Sequence, residues 1–235
     1  MHRNILITRA EHQSAELVSM LTQRDINCIL LPCIEILPPT SQYSLDEAMN
    51  HVDNYDYCIF TSVNAVAALP DQLPCFKKVF AIGPATLKAL QQLGIEASIP
   101  NIFSSEGLLI MPEFQQVNNK KIAIFTGENP RKLLYDTLLQ RHANVDFIFC
   151  YQRSCPHYSA AALEKVMAVD IELIICSSTE LLTNLVTLFE GYLTWLIRHP
   201  IVVVSDRMYQ LAAELGFQEI RQAKDATTQA ILNCL

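Results

Sequence analysis

ILITRAEHQSAELVSMLTQR, residues 5–24, is answered later in the chain by KIAIFTGENPRKLLYDTLLQR, residues 121–141. Ile5, Ile7, Leu17, Leu21 and Arg24 stand 117 positions before Ile122, Ile124, Leu134, Leu138 and Arg141. CIFTSVNAVAAL from Cys58 is matched by IICSSTELLTNL from Ile174, an offset of 116, and AIGPATLKALQQLGI from Ala81 by VVSDRMYQLAAELGF from Val203, an offset of 122. Near-constant offsets over three separate strand-plus-helix segments predict one duplicated α/β unit. Two similar lobes would then face a cleft, a natural place for a ligand.

Composition narrows the classes. At 235 residues, the chain is long enough for two lobes of roughly a hundred residues each. With 51% hydrophobic and 17% charged residues and no low-complexity tract, it reads as folded throughout. The strand-like NILIT from Asn4 follows no basic and apolar leader, so a secretory signal is not expected. The most apolar late region is broken by Glu190, Gly191, Arg198, His199 and Pro200, which leaves no run of about 20 apolar residues to span a membrane. A cytoplasmic protein is the expectation. Net charge is −7 with scattered Lys and Arg, which disfavours a nucleic-acid partner. Cys28, Cys58, Cys150 and Cys176 lie in apolar strand-like runs and no Cys-x-x-Cys occurs, so reduced buried thiols are expected and no metal site.

Short runs rich in Ile, Val, Phe and Cys, namely 4–8, 28–31, 57–61 and 79–82, alternate with helical patterns, the grammar of a parallel sheet covered by helices. Ser14 reads as an N-cap, and Gly94 as the stop of the helix carrying Leu87, Leu90 and Leu93. LPCIEILPPTS and CYQRSCPHYS interrupt this rhythm at equivalent places, Cys33 against Cys150, and mark two crossings between lobes.

With six glycines, none arranged as G-x-G-x-x-G or a phosphate loop, a dinucleotide or nucleoside triphosphate is disfavoured. Polar residues instead recur where strands feed helices: Thr8-Arg9, Thr61-Ser62, Gly83 with Thr86, Ser104-Ser105, Thr126-Gly127, Ser177-Ser178 and Ser205. The carboxyl edge of a parallel sheet aims backbone N–H groups outward, so hydroxyls there build anion sites without lysines. Any one of these residues also serves as a helix cap; the recurrence is what points to a ligand with several carboxylates. The six His are dispersed and no G-x-S-x-G elbow exists, so a nucleophilic triad is not expected. Tyr151 and Arg153, in the second crossing, are the better candidates. A tyrosine there can give a proton to a leaving hydroxyl.

These segments, with LPCIEILPP, SSEGLL at 104–109, CYQR at 150–153 and VSDRMYQLAAELGF, resemble the uroporphyrinogen-III synthase family over most of the chain. The resemblance implies an α/β fold of two similar three-layer lobes with parallel sheets, joined by two antiparallel linker strands near 33–38 and 150–155. One lobe is 1–35 plus 153–235 and the other 36–152. It also implies cyclisation of linear hydroxymethylbilane with loss of water and inversion of the last ring, a lyase reaction without cofactor. Tyr151 falls at the family's candidate acid, and Thr61, Ser62, Thr86, Ser177 and Ser178 at its cleft hydroxyls. Gly83, Arg9 and Arg153 complete the expected substrate-binding set, and Arg131 is carried weakly. Ala10 stands where many members have Pro, Ser177-Ser178 replaces a Thr-Ser pair, and the turn at Gly127 reads GENPR. A monomer is expected, with transient contact to the preceding deaminase left open.

The competing reading is a non-catalytic, two-lobed cytoplasmic ligand-binding or sensor module, since duplicated lobes about a hinge also describe such proteins. A sugar-nucleotide transferase would want an acidic metal motif that the sequence lacks.

Overall fold

The computed structural model describes residues 3–41 and 43–235. Strands follow in the order β1 Arg3–Ile7, β2 Ile26–Leu30, β3 Glu35–Leu37, β4 Tyr57–Phe60, β5 Val79–Ala81, β6 Lys121–Gly127, β7 Asn144–Ser154, β8 Ile171–Ile175, β9 Ile201–Val203 and β10 Ile220–Gln222. Contacts divide the chain into two compact units, Met1–Glu35 with Ser154–Leu235, and Ile36–Arg153.

The first unit holds a sheet ordered β10-β9-β8-β1-β2, all neighbours parallel. Alternate residues of its strands face opposite ways. Leu6, Ile174 and Val203 pack with Leu181, Leu182 and Leu185 on one side. Ile5, Ile7, Ile175 and Val202 pack with Leu17 and Leu21 on the other. Helices on both faces make three layers. The second unit is built alike around β3-β7-β6-β4-β5, where β4, β5, β6 and β7 pair in parallel. Its centre is aromatic: Phe60 and Phe125, both fully buried, stack at 4.5 Å. Burying each ring contributes about 1.5–3 kcal/mol.

The repeat read from the sequence extends to strand register. Ile7 pairs with Ile175 and Leu30, while Ile124 pairs with Ile59 and Phe147. Ile175 pairs with Val202, and Ile59 with Phe80. Each repeated residue therefore keeps the repeated neighbours, with one exchange: β1, from the first half of the chain, sits beside β8, and β6, from the second half, beside β4. The fifth strand of the first unit, β10, is reduced in the second to a single bridge between Phe80 and Ser98.

Gly94 and Gly216 occupy matching helix ends with φ of 74° and 94°, backbone that an L side chain strains. Ser14 departs from expectation. The helix Glu11–Thr22 begins after Ala10, and Ser14 Oγ, inside the first turn, donates back to the Ala10 carbonyl at 3.0 Å instead of capping. No helix among the described residues is long and apolar enough to cross a membrane.

All eight cysteines are free. Burial pushes the thiols of Cys58, Cys150 and Cys176 up to about 12, partly offset at Cys150 by a backbone hydrogen bond at Thr126 and at Cys176 by the Thr8 hydroxyl. The folded chain keeps these protons where the unfolded chain sheds them, so their contribution is full below the ordinary thiol value of 9.0 and stability falls as pH rises from there towards 12. Thermal melts across that interval check the sign. At pH 8 a thiol reagent should modify exposed Cys75 rapidly and these three only after denaturant is added. Rapid labelling of all four in the native protein would contradict the burial.

Candidate functional site

In an open parallel sheet, ligands sit outside the carboxyl ends of the strands, where successive connections leave in opposite directions. In the second unit that point lies between β4 and β6, because β4 connects outward to β5 and β6 to β7. Thr61 and Ser62 follow β4, Thr126 and Gly127 end β6, and Tyr151 lies near the end of β7. Thr61 Oγ1 donates to Thr126 Oγ1 at 2.9 Å and shares its proton with the Phe125 carbonyl at 3.2 Å. Thr126 thereby accepts at its oxygen and keeps its own proton to offer.

Ser62 does two things. Its Oγ accepts the Ala65 N–H at 3.1 Å, capping the helix Val63–Ala67, and donates to Tyr151 Oη at 3.1 Å. With its oxygen satisfied by Ser62, the Tyr151 phenol has its own proton to donate. Tyr151 is 8% exposed, and its ring lies against the backbone of Gly127: a Cβ there would come within 2.7 Å of Cε2 and Cζ. Pairing of β6 and β7 shifts register between Thr126 and Gly127, which sets Gly127 opposite Tyr151. The Glu128 N–H also donates to the Tyr151 carbonyl at 2.8 Å.

Thr61, Ser62, Thr126, Tyr151, Arg131 and Arg153 line a cavity of about 350 Å³ at this edge. Arg131 at its rim pairs with Glu106 at 2.6 Å, both well exposed. Glu106's own backbone N–H and then Arg131 hold that carboxyl below its ordinary value. A larger hollow of about 710 Å³ is lined by Leu45, Met49 and Leu73 with Asp46, Asn50 and Gln72 and holds no hydroxyl, phenol or guanidinium, so the chemistry favours the smaller cavity.

The first unit repeats the arrangement between β1 and β8. Ser177 stands where the repeat places Thr61, and Arg9 where it places Thr126. Their side chains again meet, Arg9 Nε donating to Ser177 Oγ at 2.5 Å and Nη2 to the Ala226 carbonyl at 2.8 Å. Half-burial of Arg9 lowers its guanidinium from the ordinary value. Ser178 caps the helix Thr179–Leu188 through the Leu181 N–H, as Ser62 does in its own unit.

Of the residues singled out in the sequence, Thr61, Ser62, Tyr151 and Arg153 thus share one cavity, and Arg9, Ser177 and Ser178 gather at the other unit's edge. Gly83 caps the helix Pro84–Gln92 outside that cavity, with Phe103 against it. Thr86 is 4% exposed within that helix and, like Gly83, is not among the residues that line the cavity. Thr126 and Gly127 belong to the site and had been visible only as one polar pair among several.

The chain matches, over residues 15–233, the family model described as uroporphyrinogen-III synthase HemD. It is 34% identical to the uroporphyrinogen-III synthase of Escherichia coli and 33% to that of Salmonella typhimurium, each over 99% of both chains. Among solved structures, the uroporphyrinogen-III synthetase of Helicobacter pylori superposes with a TM-score of 0.63 at 16% identity, over 98% of this chain and 97% of that one. A mutant uroporphyrinogen III synthase of Thermus thermophilus gives 0.57 at 15% identity, over 98% and 96%. At such identities the two structures speak for the α/β fold with parallel sheets.

Proposed function

Because the chain belongs to the uroporphyrinogen-III synthase family, we propose that it closes linear hydroxymethylbilane with loss of water and inversion of the last pyrrole ring, as a lyase that uses no cofactor. The observation that carries the chemistry is the Ser62 to Tyr151 hydrogen bond, which leaves the phenol proton for the substrate. Tyr151 protonates the departing hydroxyl, the C–O bond breaks, and water leaves. The pyrroles delocalise the resulting cation themselves, so the protein's work is to fold the chain and orient the last ring. That ring attacks through its substituted carbon to give the spiro intermediate, which opens and recloses at the ring's free carbon. The hydrogen lost there restores the proton balance.

Carboxylate binding falls to Thr61 and the backbone amides after Ser62, Gly83 and Ser178, with Ser177, Arg9 and Arg153 adding hydroxyl and guanidinium donors. Thr86 adds a hydroxyl in the first turn of the helix that starts after Gly83. The lobes are read as 1–35 plus 153–235 and 36–152, with the crossings near 33–38 and 150–155; the division of contacts between Glu35 and Ile36 and between Arg153 and Ser154 supports that reading. A cytoplasmic monomer with transient contact to the preceding deaminase completes the reading; eight free thiols fit a reducing compartment. The non-catalytic binding or sensor module is not favoured, since the full-length relatives are named as synthases. The test is to supply fresh hydroxymethylbilane, oxidise the products and separate the porphyrin isomers. Predominant isomer III supports the synthase reading, and isomer I alone from folded protein rejects it.

A further inference from the structure

Tyr151 is the wall of two cavities. One is the polar cavity already described. The other, of about 280 Å³, lies between β3 and the helix Val63–Ala67 and is lined by Ile36, Leu37, Pro38, Asn64, Ala67 and Tyr151 among others. Ile36 and Leu37 are 41% and 36% exposed. Pro38 and Pro39 stiffen the exit from β3, and the Gln152 side-chain amide donates to the Pro38 carbonyl at 3.0 Å, so this wall is tied to β7. Asn64 and Ala67, three residues apart, present one face of the helix. Asn64 is partly exposed and its side-chain amide makes no hydrogen bond among the described residues. No charged residue lines the groove.

We propose that this groove is the subsite for the last pyrrole ring of the substrate, the one that inverts; the inference rests on the synthase reading. Its volume falls just below the roughly 300–1,000 Å³ of pockets that enclose a whole drug-sized ligand, which suits one ring and not four. The apolar walls and the Tyr151 ring take the flat body of a pyrrole, whose electron-rich face packs against an aromatic side chain. Asn64 Oδ1 accepts the single pyrrole N–H. Because the lining is uncharged, the carboxylate arms of that ring point outward to water. Continuity supports this occupant: the same tyrosine that holds the ring from the groove presents its phenol to the polar side, where the hydroxyl leaves. Holding the ring there through the spiro stage directs reclosure at the free carbon.

Two variants test it, both assayed with hydroxymethylbilane for kcat/KM and for the ratio of isomer III to isomer I. Ala67→Leu fills the groove from an exposed helical position, and Asn64→Leu keeps the side-chain volume while removing the oxygen that accepts the pyrrole N–H. Each should lower kcat/KM by at least about tenfold, the discrimination that pocket contacts supply. A share of the product should shift to isomer I, with the thermal melt unchanged. If both variants keep wild-type kcat/KM and yield isomer III alone, the subsite is wrong while the synthase reading stands. If wild type itself yields only isomer I, that reading falls, and the subsite with it.

Discussion

Tyr151→Phe lowers kcat by about 10²- to 10⁴-fold, the range that a positioned general acid supplies, and leaves KM within about threefold because the ring and its packing remain. The variant removes the donor and its hydrogen bond with Ser62, one neutral bond worth about 0.5–1.5 kcal/mol. The melt therefore changes little, and steady-state kinetics with a parallel melt separate a chemical defect from a folding one. Wild-type turnover from Tyr151→Phe would remove the phenol from the reaction.

Gly127→Ala comes close to that loss without touching the phenol. A Cβ at Gly127 would lie 2.7 Å from Cε2 and Cζ of Tyr151 and 3.1 Å from its Oη, inside any normal contact. The ring has to move, and the 3.1 Å bond from Ser62 goes with it. The requirement is close approach of a side chain to backbone. Overpacking of this kind costs about 1–3 kcal/mol of stability, while kcat falls by about 10²-fold or more through the displaced acid. Combined with Tyr151→Phe, Gly127→Ala should add little further loss of kcat, because both act on one group. Independent, multiplying losses would show that Gly127 acts elsewhere.

Much of the fold was legible because a buried parallel strand is a short apolar run and a covering helix repeats at 3.6 residues. Ile5 against Ile122, Cys58 against Ile174 and Ala81 against Val203 gave the repeat, and the register in the sheets follows it pair for pair. The sheet order explains why offsets alone understated the topology: β1 and β6 exchange partners, a fact of tertiary pairing that constant spacing does not encode. The site was legible as a class of residue and not as a set. Ser62, Ser104, Ser178 and Ser205 all cap helices, and only Ser62 also reaches Tyr151. Thr126 enters the site because it meets Thr61 across neighbouring strands, and Gly127 because the register shift beside it brings up the Tyr151 ring. Thr86 went the other way. It lies in the first turn after Gly83, 4% exposed and outside the cavity that holds Thr61 and Tyr151.

The role given to Tyr151 is protonation of a poor leaving group, and it is tested most directly by changing that group. Wild type and Tyr151→Phe would be compared on hydroxymethylbilane and on a bilane whose terminal methylene carries a carboxylate ester, which departs without needing a proton. If Tyr151 is the general acid, the large kcat deficit of Tyr151→Phe on the hydroxyl substrate shrinks to within about tenfold of wild type on the ester. The same deficit on both substrates would contradict the assignment and make the phenol a positioning group.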